Sequence, residues 1–140
     1  MGSFSDYCEL KVLDHVVGKA AFTMPTHLWI ALYTTICNDA STGTTPSPGV
    51  EVSAAGYARV DAVGAAGFNV AASSGQTANS VAITFGAPTA NWGTIVGFAA
   101  IDASTGGNIL FWGAVSPSKT VNNGNAAPSF AINALTLSLD

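Results

Sequence analysis

The sequence predicts an all-β fold: an antiparallel two-sheet sandwich of jelly-roll type, with one short N-terminal α-helix. Three observations lead there. Period-two alternation of apolar and small or polar residues recurs from about residue 27 to the end of the 140-residue chain. Turns rich in Gly, Pro, Asn and Ser separate these runs. Helical spacing of apolar residues is confined to the first 20 positions. About eight short strands with one helix are best buried as two packed layers. The expected organisation is one structural domain over residues 1–140, with a helical arm at 1–20 and the sandwich at 26–140.

The helix comes first. Ser5 or Asp6 serves as N-cap, and Glu9 stands three residues after Asp6, the spacing of a capping box. Tyr7, Leu10, Leu13 and Val17 share a face. Acidic residues open the segment and Lys11, His15 and Lys19 follow, as the helix dipole favours. Gly18 ends it.

The first sandwich strand spans about His27–Thr35. Leu28, Ile30 and Leu32 lie on one face and Trp29, Ala31 and Tyr33 on the other, so both faces are expected to be covered. The Asn38–Gly49 segment, with Pro46 and Pro48, reads as a long loop. No core anchor is evident in it, and the expectation is a loop mobile in the isolated protein and ordered on assembly. Val50–Ser53 starts a short strand, and Tyr57–Val63 alternates Tyr57, Arg59 and Asp61 against Ala58, Val60 and Ala62.

Gly64–Asn79 is small and polar, with Phe68 and Val70 as its anchors and room for one short strand. In Ser80–Phe85, Val81, Ile83 and Phe85 point inward. Pro88–Gly93 turns the chain. Thr94–Ile101 and Ile109–Val115 are strong strands joined through Asp102–Asn108, whose Gly106-Gly107 suits a hairpin. Asn123-Gly124 marks another turn. Ser129–Leu139 reads as a last strand with a parity break. A bulge near Asn133-Ala134 would put Phe130, Ile132, Leu135, Leu137 and Leu139 on one buried face.

Composition narrows the function. Lys and Arg total four, Asp and Glu eight, and His two, against 49% hydrophobic residues and 15 Gly. Charged residues make up 9% of the chain, far below the usual ~25%. Catalysis needs converging titratable groups, which such a chain supplies sparingly, so the expectation is a protein without enzymatic activity. A net charge of −4 disfavours binding to a nucleic-acid backbone. Residues 1–10 carry Asp6 and Glu9 and have no apolar leader core, and stretches such as Ile95–Ile101 are too short to span a bilayer. Cys8 and Cys37 have no zinc spacing and read as free thiols. Low charge with high apolar content suits an assembly subunit whose surface is partly covered.

Candidate reactive residues each have a plain structural reading. His15 falls on the helix surface and His27 opens a strand beside Trp29, and neither has a ligand partner at metal spacing, so no metal site and no cofactor are expected. Asp102 could bind a cation weakly, but is expected to bond its own turn. Glu51 and Asp61 could approach as an acid pair, but a solvated surface or a bridge to Arg59 is the better reading. Trp29, Trp92 and Trp112 with Tyr33 and Tyr57 could line a glycan-binding face, although Trp29 and Trp112 sit in apolar strands and read as core. Trp92, in the Asn91-Trp92-Gly93 turn, is the aromatic expected at a contact surface. The candidate interface is therefore Asn38, Thr42, Thr45, Pro46 and Pro48 of the long loop, together with Trp92.

Several motifs taken together carry a resemblance. They are Glu51-Val52-Ser53 with Gly56-Tyr57-Ala58-Arg59, then Ile83-Thr84-Phe85 with Ala87-Pro88, then Asn91-Trp92-Gly93-Thr94. Asp102-Ala103-Ser104-Thr105-Gly106-Gly107-Asn108 follows, and Pro128-Ser129-Phe130-Ala131 runs into Ala134-Leu135-Thr136-Leu137. The chain after about residue 25 resembles a widespread family of small tailed-bacteriophage structural proteins, often labelled tail-fibre proteins. Its size, charge and β pattern also resemble a capsid cement (decoration) protein such as that of a Bordetella podophage. The resemblance implies a virion subunit on the outside of the major capsid protein shell, made in the bacterial cytoplasm, with no catalytic residues. A homodimer is the economical oligomer at local two-fold axes, with the long loop and the helix as arms onto neighbours. No nucleic-acid or membrane partner is implied. A tail-fibre or baseplate module is the alternative, and a carbohydrate-binding module a second one.

Overall fold

The structure is a computed structural model that describes residues 2–62 and 67–139. It is mostly β, with antiparallel sheets in a sandwich-like arrangement and one short helix. In chain order the elements are β1 (Gly2–Phe4), α1 (Asp6–Val16), β2 (Trp29–Thr35), β3 (Val50–Glu51), β4 (Val60–Asp61) and β5 (Gln76–Ala78). Then come β6 (Ile83–Thr84), β7 (Gly93–Ile101), β8 (Ile109–Val121), β9 (Ser129–Phe130) and β10 (Thr136–Ser138). The large sheet runs β3-β2-β7-β8-β1-β10-β5, with β4 also paired to β2, and β6 and β9 form a small second sheet. The two layers are thus very unequal.

The strongest sequence patterns make the centre of the large sheet. β2, β7 and β8 pair antiparallel, with Leu32 opposite Phe98 and Ala99 opposite Trp112. Both faces are covered. Ile30, Leu32, Phe98 and Ala100 enter the main core with Val52, Ile83, Phe85, Trp92, Ile95, Leu135 and Leu137. Ala31, Tyr33, Ala99, Ile101 and Ile109 join Cys37 in a second cluster on the reverse face, against which Trp112 packs. β8 continues six residues past Val115, where the alternation ended its expected span. The pairing passes from Gly97–Ala114 to Ile95–Lys119, and the extra residues on β8 include Pro117, which has no N–H to give the ladder.

The N-terminal segment is more than a helical arm. Gly2–Phe4 is inserted between β8 and β10, antiparallel to the first and parallel to the second. Ser5 is the N-cap, accepting from the Cys8 amide at 3.3 Å while its hydroxyl bonds the Ile109 carbonyl. This fixes the cap at Ser5, so the Asp6–Glu9 capping box is not used. At the other end Gly18 adopts φ +71°, and the amides of Gly18 and Lys19 bond the carbonyls of His15 and Asp14, a Schellman stop.

Other expectations are corrected. The alternating Tyr57–Val63 run pairs only at Val60–Asp61, and Val63 lies outside the described residues, as do Gly64–Ala66. Val70 and Val81 are exposed, leaving Phe68, Ile83 and Phe85 as the inward residues of that region. The single last strand is two: β9 belongs to the small sheet and β10 to the large one. The crossing is organised by Asn79, fully buried, which donates to the Val81 and Ala131 carbonyls at 2.7 and 2.8 Å and accepts from the Leu135 amide at 2.8 Å. Asn133 turns the chain at φ +62°. A turn replaces the bulge, so Leu135 and Leu137 are buried while Ile132 and Leu139 face solvent.

Leu135→Ala or Leu137→Ala is expected to cost about 2–5 kcal/mol in urea unfolding. Ile132→Ala and Leu139→Ala are expected to stay within about 0.5 kcal/mol of the parent. Equal losses at all four positions would restore a single buried strand.

Candidate functional site

Three loops converge on one buried cation. Arg59 lies just before β4, and its side chain is 6% exposed. Its Nε and one terminal nitrogen donate to the two oxygens of Glu51, each at 2.8 Å. The other terminal nitrogen donates to the carbonyls of Ala103 and Gly106, both at 2.9 Å. A further bond at 3.2 Å reaches the Gly43 carbonyl. The planar fork thus ties β3, the 38–49 loop and the β7–β8 hairpin loop together, as only a guanidinium can. Burial by itself would lower the Arg59 pKa, but the hydrogen bonds and charge of Glu51 outweigh it and hold the group above its ordinary value.

The surrounding groups support this clamp. The Tyr57 hydroxyl donates to Glu51 at 2.9 Å and accepts from the Leu32 amide at 3.0 Å. The Gly43 amide bonds the Gly107 carbonyl, and the backbones approach so closely that a Cβ on Gly43 would lie 2.0 Å from the Gly106 oxygen. Asp102 bonds the Asn108 amide and side chain at 2.7 and 2.8 Å, closing its own loop as expected. Beside the clamp lies an open groove of about 550 Å³, with Trp29, Glu51, Tyr57, Arg59, Ser104 and Thr105 among its walls.

The long loop is anchored, contrary to expectation. Ser41 is buried and bonds the Asn38 amide and side chain and the carbonyls of Pro46 and Ser47. Thr42 and Thr45 pair at 2.8 Å. Asn38, Thr45 and Pro48 are exposed and Thr42 and Pro46 half-buried. Trp92 is not with them. It is 4% exposed, its indole N–H bonds the Ala55 carbonyl at 3.1 Å, and Tyr57 packs edge-on at 5.4 Å. Gly93 at φ +87° lets the chain enter β7 with the indole directed into the core. Tyr33 is buried as well, so the five aromatics considered for a glycan face do not form one. Trp29 and Trp112 are half-buried, and Trp112 bonds Asp39 at 3.0 Å.

The remaining titratable residues are paired or scattered. His27 Nδ1 lies 2.6 Å from Asp61, so Glu51 and Asp61 have separate partners rather than each other. His15, on the exposed helix surface, accepts from the Phe22 amide at 3.1 Å. Among the described residues no three of His, Cys, Asp and Glu converge as a metal site, and no helix is long and apolar enough to cross a membrane. Cys8 and Cys37 are free and buried. Sequence reading missed the hubs at Ser41, Gly43 and Asn79; the juxtaposed Thr-Gly-Thr and Gly106-Gly107 segments were the available signal for the loop contact.

Residues 3–138 match the family described as Podophage GP4 fiber I protein gp80. The chain belongs to this family. It is a phage virion structural protein, related to fibres, and its place is the virion. A search of curated proteins finds no match. The residues that carry the sequence resemblance serve architecture in this structure: Glu51 and Arg59 form the clamp, Trp92 fills the core, and Asp102–Asn108 closes the hairpin.

Arg59→Met is expected to destabilise the domain by about 3–5 kcal/mol, because Glu51 keeps a charge without its partner. Gly43→Ala is expected to part the two loops while sparing the sheet. Limited proteolysis should then cut within 38–49 and 102–108 while β2, β7 and β8 amides stay protected from exchange.

The thiols set a pH dependence. Burial raises both from 9.0 to about 11, with Glu9 adding to the effect at Cys8. A raised folded-state pKa means that the unfolded chain loses its proton first. The stabilisation is therefore complete below pH 9 and lost as pH rises to 11, by roughly 2–3 kcal/mol per thiol at most. Urea melts at pH 8, 9.5 and 11 should show this decline, and it should shrink in Cys8→Ala and Cys37→Ala.

Proposed function

We propose that this chain is a non-catalytic structural subunit of the fibre apparatus of the virion, acting through protein contacts. The family match carries the fibre assignment. The site geometry supports a structural role: Arg59 and Glu51 satisfy each other, Asp102 closes its own turn, and His27 is held by Asp61. Groups so engaged are organised for holding loops in place rather than for proton transfer. The exposed surface offers apolar side chains instead, including Leu10, Leu13, Val16, Val17 and Met24. The cement reading, with the major capsid protein as partner and a dimer as the unit, shares this physics but lacks the family description in its favour. The anchored 38–49 loop is a candidate contact surface in either setting.

Quantitative mass spectrometry of purified virions tests the assignment. A fibre component is expected at a few to tens of copies, with label imaged at the tail. Hundreds of copies spread over the head would establish the cement role instead, and absence from washed virions would refute a structural role altogether.

A further inference from the structure

Helix α1 is built inside out for an isolated domain. Its buried residue is Cys8, at 2% exposure, while Leu10, Leu13 and Val17 are 64%, 59% and 55% exposed. At 100° per residue these three lie within about 40° of the direction opposite Cys8. They recur at i, i+3 and i+7, the anchor spacing of a helix that lies in a groove. Val16, 74% exposed, widens the stripe. The helix is held to its own domain from the other side, through Ser5, Cys8 and the β1 pairing. The amphipathic pattern is therefore directed outward.

The charges beside the stripe identify its occupant. In heptad terms Leu10 and Val17 are a positions and Leu13 is d, which places Glu9 at g and Asp14 at e. A parallel pairing of two copies would bring Glu9 against Asp14 of the other, and antiparallel pairings centred near either end of the stripe would oppose Glu9 to Glu9 or Asp14 to Asp14, all repulsive. An antiparallel pairing centred on Leu10 and Leu13 avoids these contacts but gives neither carboxylate a cation. The chain offers no cation on the flanks to relieve this: Lys11 sits over the Tyr7 ring at 5.7 Å, Arg59 is committed to Glu51, and Lys19 and Lys119 lie outside the helix. An acidic flank is likewise the wrong sign for an anionic membrane surface or for nucleic acid.

We propose that the outer stripe of α1 docks into an apolar groove rimmed by Lys or Arg on a different virion protein. This rests on the structural role proposed above and names the chemistry of the partner. Complementary rim charges orient the helix and favour such a partner over a second copy, while Leu10, Leu13 and Val17 fill the groove.

The test uses whole virions with p-benzoylphenylalanine in place of Leu13, or of exposed Asn123 as control. Irradiation at Leu13 is expected to give one heterologous adduct, mapped to a peptide containing Lys or Arg, that the control does not give. The double variant Leu10→Asp/Leu13→Asp is expected to melt like the parent but enter virions at least tenfold less. Glu9→Lys/Asp14→Lys is expected to lower incorporation in the same direction. An adduct only with a second copy of this chain, or normal incorporation of Leu10→Asp/Leu13→Asp, overturns the proposal alone. Absence of the parent chain from virions overturns the structural role and this inference together.

Discussion

The Arg59–Glu51 fork is the constraint on which the loop end of the molecule depends. A guanidinium 6% exposed is costly to bury, and it is tolerated because its donors meet both carboxylate oxygens and three backbone carbonyls. Those carbonyls belong to loops that have no ladder of their own to satisfy them. One side chain therefore does what a strand would do elsewhere. It holds Gly43 so near Gly106 that a Cβ on Gly43 would meet the Gly106 carbonyl. Tyr57 completes the arrangement by linking Glu51 to the Leu32 amide, so β2 and the loops share one hydrogen-bonded framework.

The scarcity of charge follows from the same architecture. β2 and β7 are covered on both faces, and such strands have little room for solvated charged residues. Small polar side chains then carry the hydrogen bonding that irregular backbone requires. Ser41 does so in the long loop, Asn79 at the crossing between sheets, and Asp102 in the hairpin. Each bonds main-chain groups that no neighbouring strand reaches, which meets the demand that buried polar groups be paired.

How much was legible depended on the range of the determining contact. β2, β7 and β8 were readable because two-sided burial writes itself into consecutive residues, and the helix because caps and dipole charges are local. The Glu51–Arg59 bridge was accessible from sequence spacing, but its carbonyl contacts were not, since they join residues up to 47 apart. Trp92 misled because its neighbours Asn91 and Gly93 have turn character; the direction of the indole is set by Gly93 and the Ala55 carbonyl. Ile132 and Leu139 misled because parity arguments assume one continuous strand, whereas Asn79 divides it. The exposure of Leu10, Leu13 and Val17 was invisible for a related reason: periodicity reveals that a helix has an apolar face, not which neighbour covers it.

These two halves of the structure have different logic. At the clamp, a buried cation has its donors met at close range by Glu51 and the loop carbonyls. At α1, the apolar side chains remain exposed while the charges beside them have one sign. Glu9 and Asp14 flank this stripe, and a parallel pairing of two copies would bring them together as like charges. The same two carboxylates would become attractive beside cations. Selectivity for a cationic rim thus resides in the same residues that disfavour parallel self-pairing, and β1 and Ser5 hold the helix that presents them. For a virion subunit, that economy is sufficient reason for a helix whose most apolar face points away from its own core.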